Sequence, residues 1–233
     1  MNSNMGEINR LNLTSCKLDV SQSKTSNYYF ENLSSISYKE EEGWGFENVE
    51  KKENVISAIY IHKVHSYYYI WDETLQAKDK RFVEVVKEIQ FIMDFEKHLL
   101  IVVGKNQDMN AIKQGLRKVF WNHFIYDDLT MLPFDFLNLF VSENLLDAIL
   151  EVTINDFEYK KQMIGKYIVK RIKFDNTGAF LNKAKESIEN MKFALSFKGK
   201  NLEVVAKTKG RLSCQTKKGD LYDFMLFIKD KIY

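Results

Sequence analysis

Proline occurs once in 233 residues, glycine ten times and cysteine twice. So few chain breakers exclude collagen-like, mucin-like and linker-rich chains, which depend on Pro, Gly or Ser repeats. Cys16 and Cys214 make no disulfide framework and have no paired spacing for zinc. Each alternates with apolar neighbours and is expected to be a small buried hydrophobe. Long apolar runs are missing too. Leu99–Val103 is five residues, against the roughly twenty that a bilayer-spanning helix needs. The opening Met1-Asn2-Ser3-Asn4-Met5-Gly6-Glu7 has neither a basic start nor an apolar core. A cytoplasmic protein without a membrane partner is therefore expected, and wealth in Lys, Asn, Ile, Phe and Tyr suggests AT-rich, prokaryotic coding.

With 45% hydrophobic and 28% charged residues, the chain carries enough apolar side chains to fold around a core. Charge is unevenly spread. Residues 1–157 hold 16 Lys and Arg against 24 Asp and Glu, a net of −8, whereas residues 158–233 hold 18 against 8, a net of +10. A positive field of that size in a third of the chain points to a polyanionic partner. We therefore expect an acidic α+β domain over 1–157 and a basic one over 158–233, with residues 21–54, rich in Ser, Asn, Glu and Lys, as a long mobile segment.

Hydrophobic periodicity predicts strands over Ile8 to Val20, Asn54 to His62, Ser66 to Trp71, Phe82 to Phe95 and Leu99 to Val103. A helix follows over Asp108 to Phe120, with Asp108 as its cap, and a second opens at Pro133. Leu145 to Phe157 and Lys166 to Phe174 return to strand character. After Thr177-Gly178, a helix is predicted from Phe180, Ala184, Ile188 and Met191, which share one stripe. Three short strands come next, over Met191 to Phe197, Leu202 to Thr208 and Arg211 to Thr216, and a last helix spans Asp220 to Ile232. The expected class is α+β with largely antiparallel sheets and a C-terminal αβββα unit.

Residues two apart on a strand share a face. Phe193, Leu195, Phe197, Leu202, Val204, Ala206, Leu212 and Cys214 thus point inward. Lys192, Lys198, Lys207, Lys209 and Arg211 point outward, with Lys200 in the first connection and Lys217 and Lys218 at the start of the last helix. These eight cations are the expected contacts to nucleic-acid phosphates. The order helix, three strands, helix is similar to that of double-stranded RNA-binding domains, and Thr216-Lys217-Lys218 resembles the Ser/Thr-Lys-Lys opening of their second helix. The likeness stops at Leu221, where that family has a further lysine.

Catalytic and cofactor patterns are thin. His62 and His65 fall on opposite faces of a strand, and His123 with Asp127 and Asp128 would align only on a helix. Asp135 with Glu158 and Lys160 has the outline of a metal-dependent nuclease, yet Asp135 falls in a predicted helix. No catalytic residue, cofactor or metal is therefore expected. The leading expectation is a nucleic-acid-binding protein using its basic C-terminal sheet face. The rival is a protein-binding subunit that uses Glu40 to Glu42 and the aromatic strand Tyr67 to Trp71. A nuclease of a mobile-element or phage-defence system comes third. Tyr67-Tyr68-Tyr69 and Trp71 either stack bases or fill a core.

Overall fold

The computed structural model describes residues 8–18, 24–74, 76–160, 163–172, 178–215 and 218–232. In chain order these form β1 (Ile8–Leu18), α1 (Ser26–Ser34), β2 (Trp44–Lys52), β3 (Val55–Asp72), β4 (Ala77–Asp94), β5 (Leu99–Val103), α2 (Asn106–Phe120), β6 (Phe124–Asp128), α3 (Pro133–Ser142), β7 (Leu146–Lys160), β8 (Met163–Ile172), α4 (Gly178–Lys183), β9 (Ile188–Phe197), β10 (Lys200–Lys207), β11 (Arg211–Gln215) and α5 (Lys218–Lys231). The class is α+β, as expected, and all the strand pairings among described residues are antiparallel.

The strands form one sheet in the order β2-β3-β4-β5-β1-β11-β10-β9-β7-β8, with β6 beside β1. β1 is the splice. One of its edges pairs with β5, from Leu11↔Val103 to Ser15↔Leu99. The other pairs first with β11 over Ile8 to Asn12 and then with β6 over Thr14 to Leu18.

Two apolar cores lie on opposite sides of this sheet. Alternation along β5 sends Leu100 and Val102 into a core with Tyr29 and Leu33 of α1 and Ile112 and Leu116 of α2. Its other face sends Leu99 and Ile101 into a core with Phe136 and Phe140 of α3 and Phe224 and Ile228 of α5. Each large side chain so buried contributes about 1.5–3 kcal/mol. The chain order strand, helix, four strands, helix occurs twice: β1-α1-β2-β3-β4-β5-α2, then β6-α3-β7-β9-β10-β11-α5, with β8 and α4 inserted after β7.

Several expectations are corrected. The segment 21–54, expected as a loop, holds α1 and β2 within its described part, because Tyr29 and Leu33 sit one helical turn apart and are both fully buried. A cut after Phe157 falls inside β7, which pairs with both β8 and β9, and the α3–α5 core draws residues from both sides of that cut. The strands predicted on either side of His65 are one continuous β3. Ile188 and Met191 belong to β9 and not to the preceding helix, which stops at Lys183; a register irregularity against β7 beside Ile188 leaves both buried at a spacing of three. Asp108 is the third residue of α2, where its carboxylate accepts the Lys105 N–H at 2.6 Å.

Candidate functional site

The β9–β10–β11 meander turns Lys192, Lys207 and Arg211 away from α3 and α5, with Lys207 directly opposite Arg211 in the β10–β11 register. The inward set Phe193, Leu195, Phe197, Leu202, Val204, Ala206, Leu212 and Cys214 is buried as the alternation predicts. The turns use lysine as well as glycine in the left-handed region: Lys198 (φ 49°) with Gly199 (φ 74°), and Lys209 (φ 65°) with Gly210 (φ 66°). The two-residue Lys198-Gly199 loop fits the positive φ pair that a tight hairpin demands.

One free cationic surface is not what results. Lys192 reaches Glu203 at 2.6 Å, Lys198 reaches Asp223 of α5 at 2.8 Å, and Lys209 reaches Asp128 of β6 at 2.7 Å. The hydrogen bond from Lys209 holds the Asp128 carboxyl below its ordinary range, with Lys113 and Arg211 adding to the effect against the opposing cost of burial. Lys198 and Lys200 stand at one end of the meander and Lys209 at the other, about 25 Å away at the rise of a strand. Lys217 lies outside the described residues, as does Thr216. Lys218 opens α5, but its side chain lies outside the described part. Charge counted along the chain misled here because the cations are matched by side chains that folding brings alongside: Glu203 and Asp223 come from the basic part itself, and Asp128 comes from the acidic part, since β6 and β11 share an edge of β1.

A second surface does stand clear. β3 and β4 pair over all eighteen positions, from Val55↔Asp94 to Asp72↔Ala77. β2 reaches only to Trp44↔His62, and β5 only to Phe91↔Val102. From Val64 outward the two strands therefore continue as a ribbon for about 30 Å, with neither edge paired among the described residues. Tyr67, Tyr69, Trp71 and Phe82 are 54%, 59%, 59% and 72% exposed. The reading of these aromatics as core is corrected: they are exposed, and no other strand or helix among the described residues is paired with this part of the ribbon.

Register decides which side chains share a face. Ile56, Ala58 and Tyr60 face the α1–α2 core, so alternation places Tyr67, Tyr69 and Trp71 on the opposite side. There they meet Phe82, Lys80 and Lys78 directly across the ladder. Lys80 Nζ lies 4.0 Å from the Tyr67 ring centroid and 5.1 Å from that of Phe82, and Tyr67 and Tyr69 meet edge to face at 5.7 Å. The reverse face carries Tyr68, Ile70, Val83 and Val85, all exposed, with Arg81 held by Asp79 at 2.7 Å. Lys78, Lys80 and Phe82 escaped the sequence reading. Their signal was the hairpin register, visible only once the two strands are known to pair along their full length.

At the foot of the ribbon, Glu40, Glu42, Gly43, Trp44, His62, Glu84 and Lys118 border a cleft of about 410 Å³. His62 stacks on Tyr60 (5.1 Å, 18° between planes), and its Nε2 is buried without a hydrogen-bond partner among the described residues. Burial first, then Lys87 and Lys118, hold the imidazole below its ordinary pKa, against the pull of Asp108. His65, on the other face of β3, is exposed and lies 3.8 Å from Glu84.

The remaining sequence candidates separate. Asp127 and Asp128 lie on strand β6, so they do not align with His123 on a helix. Asp135 accepts the Leu132 N–H at 2.8 Å and serves the start of α3. The side chains of Glu158 and Lys160 lie outside the described part. No group of three His, Cys, Asp or Glu gathers to hold a metal among the described residues, and no helix among them is long and apolar enough to cross a membrane. No protein-family model matches this chain, and no curated protein matches it.

Proposed function

We propose that this chain is a nucleic-acid-binding protein whose main contact surface is the β3–β4 ribbon. The observation that carries the reading is one exposed face that combines Tyr67, Tyr69, Trp71 and Phe82 with Lys78 and Lys80. Aromatic rings offer stacking to any base, and adjacent ammonium groups offer contacts to the backbone. The C-terminal cations play a smaller part. Lys192, Lys198 and Lys209 already hold carboxylates, and releasing them to a phosphate exchanges one exposed ion pair for another of similar small worth.

Anisotropy titration of labelled oligonucleotides at about 50 mM salt tests the reading. Binding that weakens steeply with salt, and more for Lys78→Glu/Lys80→Glu than for Lys207→Glu/Arg211→Glu, supports it. No binding by the intact chain removes it. A protein-binding subunit is the second reading, favoured by the reverse ribbon face, where Tyr68, Ile70, Val83 and Val85 are exposed around an internally paired Arg81. A stoichiometric partner lost with Ile70→Asp, and indifferent to nuclease, would favour it.

A further inference from the structure

Resting on the nucleic-acid reading, we infer that the ligand is a single strand, with successive bases laid along β3 and its phosphates tracked by β4.

Spacing is the first argument. Tyr67, Tyr69 and Trp71 are alternate residues of one strand, so their Cα atoms are about 6.6 Å apart. Bases within a duplex strand rise only about 3.4 Å per step. Their faces are covered by one another, so a ring can reach them only where the stack is opened, at a cost of a few kcal/mol per step. A single strand carries no such penalty. Its bases splay to twice the duplex rise with no pairing to break, which is how aromatic strands engage unpaired nucleotides elsewhere.

Placement of charge is the second. Cross-strand neighbours on this face are about 4.5–5.5 Å apart, and the pairs run Tyr67↔Phe82, Tyr69↔Lys80 and Trp71↔Lys78. Among the described residues, the rings of β3 therefore have ammonium groups of the facing strand on one flank. A duplex presents phosphates on both sides of its bases. A single strand presents them on one, which is the asymmetry of this face.

Lys80 adds a feature of mechanism. In the free protein its ammonium covers the Tyr67 ring at 4.0 Å, the position a stacked base would take. Binding requires the side chain to swing from ring to phosphate. The cation–π contact given up is replaced by a charge-assisted contact, and the ring face is delivered to the base.

The test uses the full chain with fluorescein-labelled oligo(dT) and oligo(U), set beside a hairpin duplex, each titrated over a range of salt. Single strands are expected to bind at least about tenfold more tightly than the duplex. Trp71→Leu and Tyr69→Leu each lower single-strand affinity about tenfold or more with the salt slope unchanged. Lys78→Gln/Lys80→Gln lowers the log–log slope by about 1.4, two single-strand phosphates' worth. All four positions are exposed, so an unchanged thermal melt excludes misfolding. A duplex bound as tightly as the single strands overturns the inference and leaves the broader reading standing. So does a single-strand preference that survives Trp71→Leu/Tyr69→Leu. Failure of all three probes to bind overturns both. The deoxy and ribo arms say which sugar is preferred.

Discussion

The Lys229 ammonium of α5 lies 3.6 Å from the Asp94 carboxylate at the end of β4, and both side chains are largely buried. The contact is one half of a reciprocal brace. Asp94 also accepts the N–H groups of Glu96 and Lys97 at 3.1 and 2.9 Å, and Lys97 Nζ donates to the carbonyls of Lys229 and Asp230 at 3.0 and 2.7 Å. One tight turn thus closes the β4–β5 hairpin and satisfies the end of the last helix. Burial pulls the Lys229 pKa down, but Asp230 and Asp94 outweigh it and hold the group above its ordinary value. Asp94→Ala leaves two turn N–H groups without an acceptor and Lys229 with Asp230 as its remaining carboxylate, and is expected to cost about 2–4 kcal/mol. Lys229→Met costs less, since Asp94 keeps its turn hydrogen bonds. Urea midpoints check both, and a change under about 0.5 kcal/mol for Asp94→Ala contradicts the brace.

Gly115 lies on the buried side of α2, where an added Cβ would come within 2.8 Å of the Tyr60 ring. Alanine is the better helix former by about 1 kcal/mol, yet the clash forces a packed aromatic to move. Gly115→Ala is expected to destabilise by about 1–3 kcal/mol. Adding Tyr60→Leu should recover part of that loss in a double-mutant cycle. A stabilised Gly115→Ala would mean that the ring yields freely.

His62 is expected to make the fold acid-sensitive. Its pKa is lower in the folded chain, through burial and the facing cations Lys87 and Lys118, with Asp108 acting the other way. As pH falls through the unfolded value near 6.5, the unfolded chain takes up the proton first, so stability declines on the acid side. At higher pH both states are neutral and the contribution is flat. Urea midpoints taken between about pH 7.5 and 5.5 should fall for the native sequence and fall less for His62→Gln. Equal slopes in the two proteins would remove His62 as the cause.

Burial alone pushes the Cys214 thiol up to about 12. In a Cys16→Ser variant, a maleimide at about pH 8 should leave the folded chain unlabelled and label it fully in urea. Rapid native labelling would show that β11 opens readily.

Local pattern carried much of the fold. The meander strands, their inward residues and the helix opening at Pro133 were readable because alternation and breaker residues act over a few positions. Residues 24–54 were not, since two buried side chains in a polar stretch are enough for a helix only when a core is waiting. The candidate site was half legible. Tyr67 to Trp71 were visible as aromatics of uncertain placement, while Lys78, Lys80 and Phe82 joined them only through pairing across the hairpin.

Composition and periodicity by themselves determined that the chain folds, that it mixes helices with antiparallel strands, and which side of each C-terminal strand is apolar. Those properties follow from the energy of taking side chains out of water one short segment at a time. Which lysines are left without carboxylates, and which aromatics remain in solvent, was decided only by tertiary structure. Both depend on what a distant strand brings alongside: Asp128 reaches Lys209 because β6 and β11 share an edge of β1, and Trp71 stays exposed because β2 and β5 end before it.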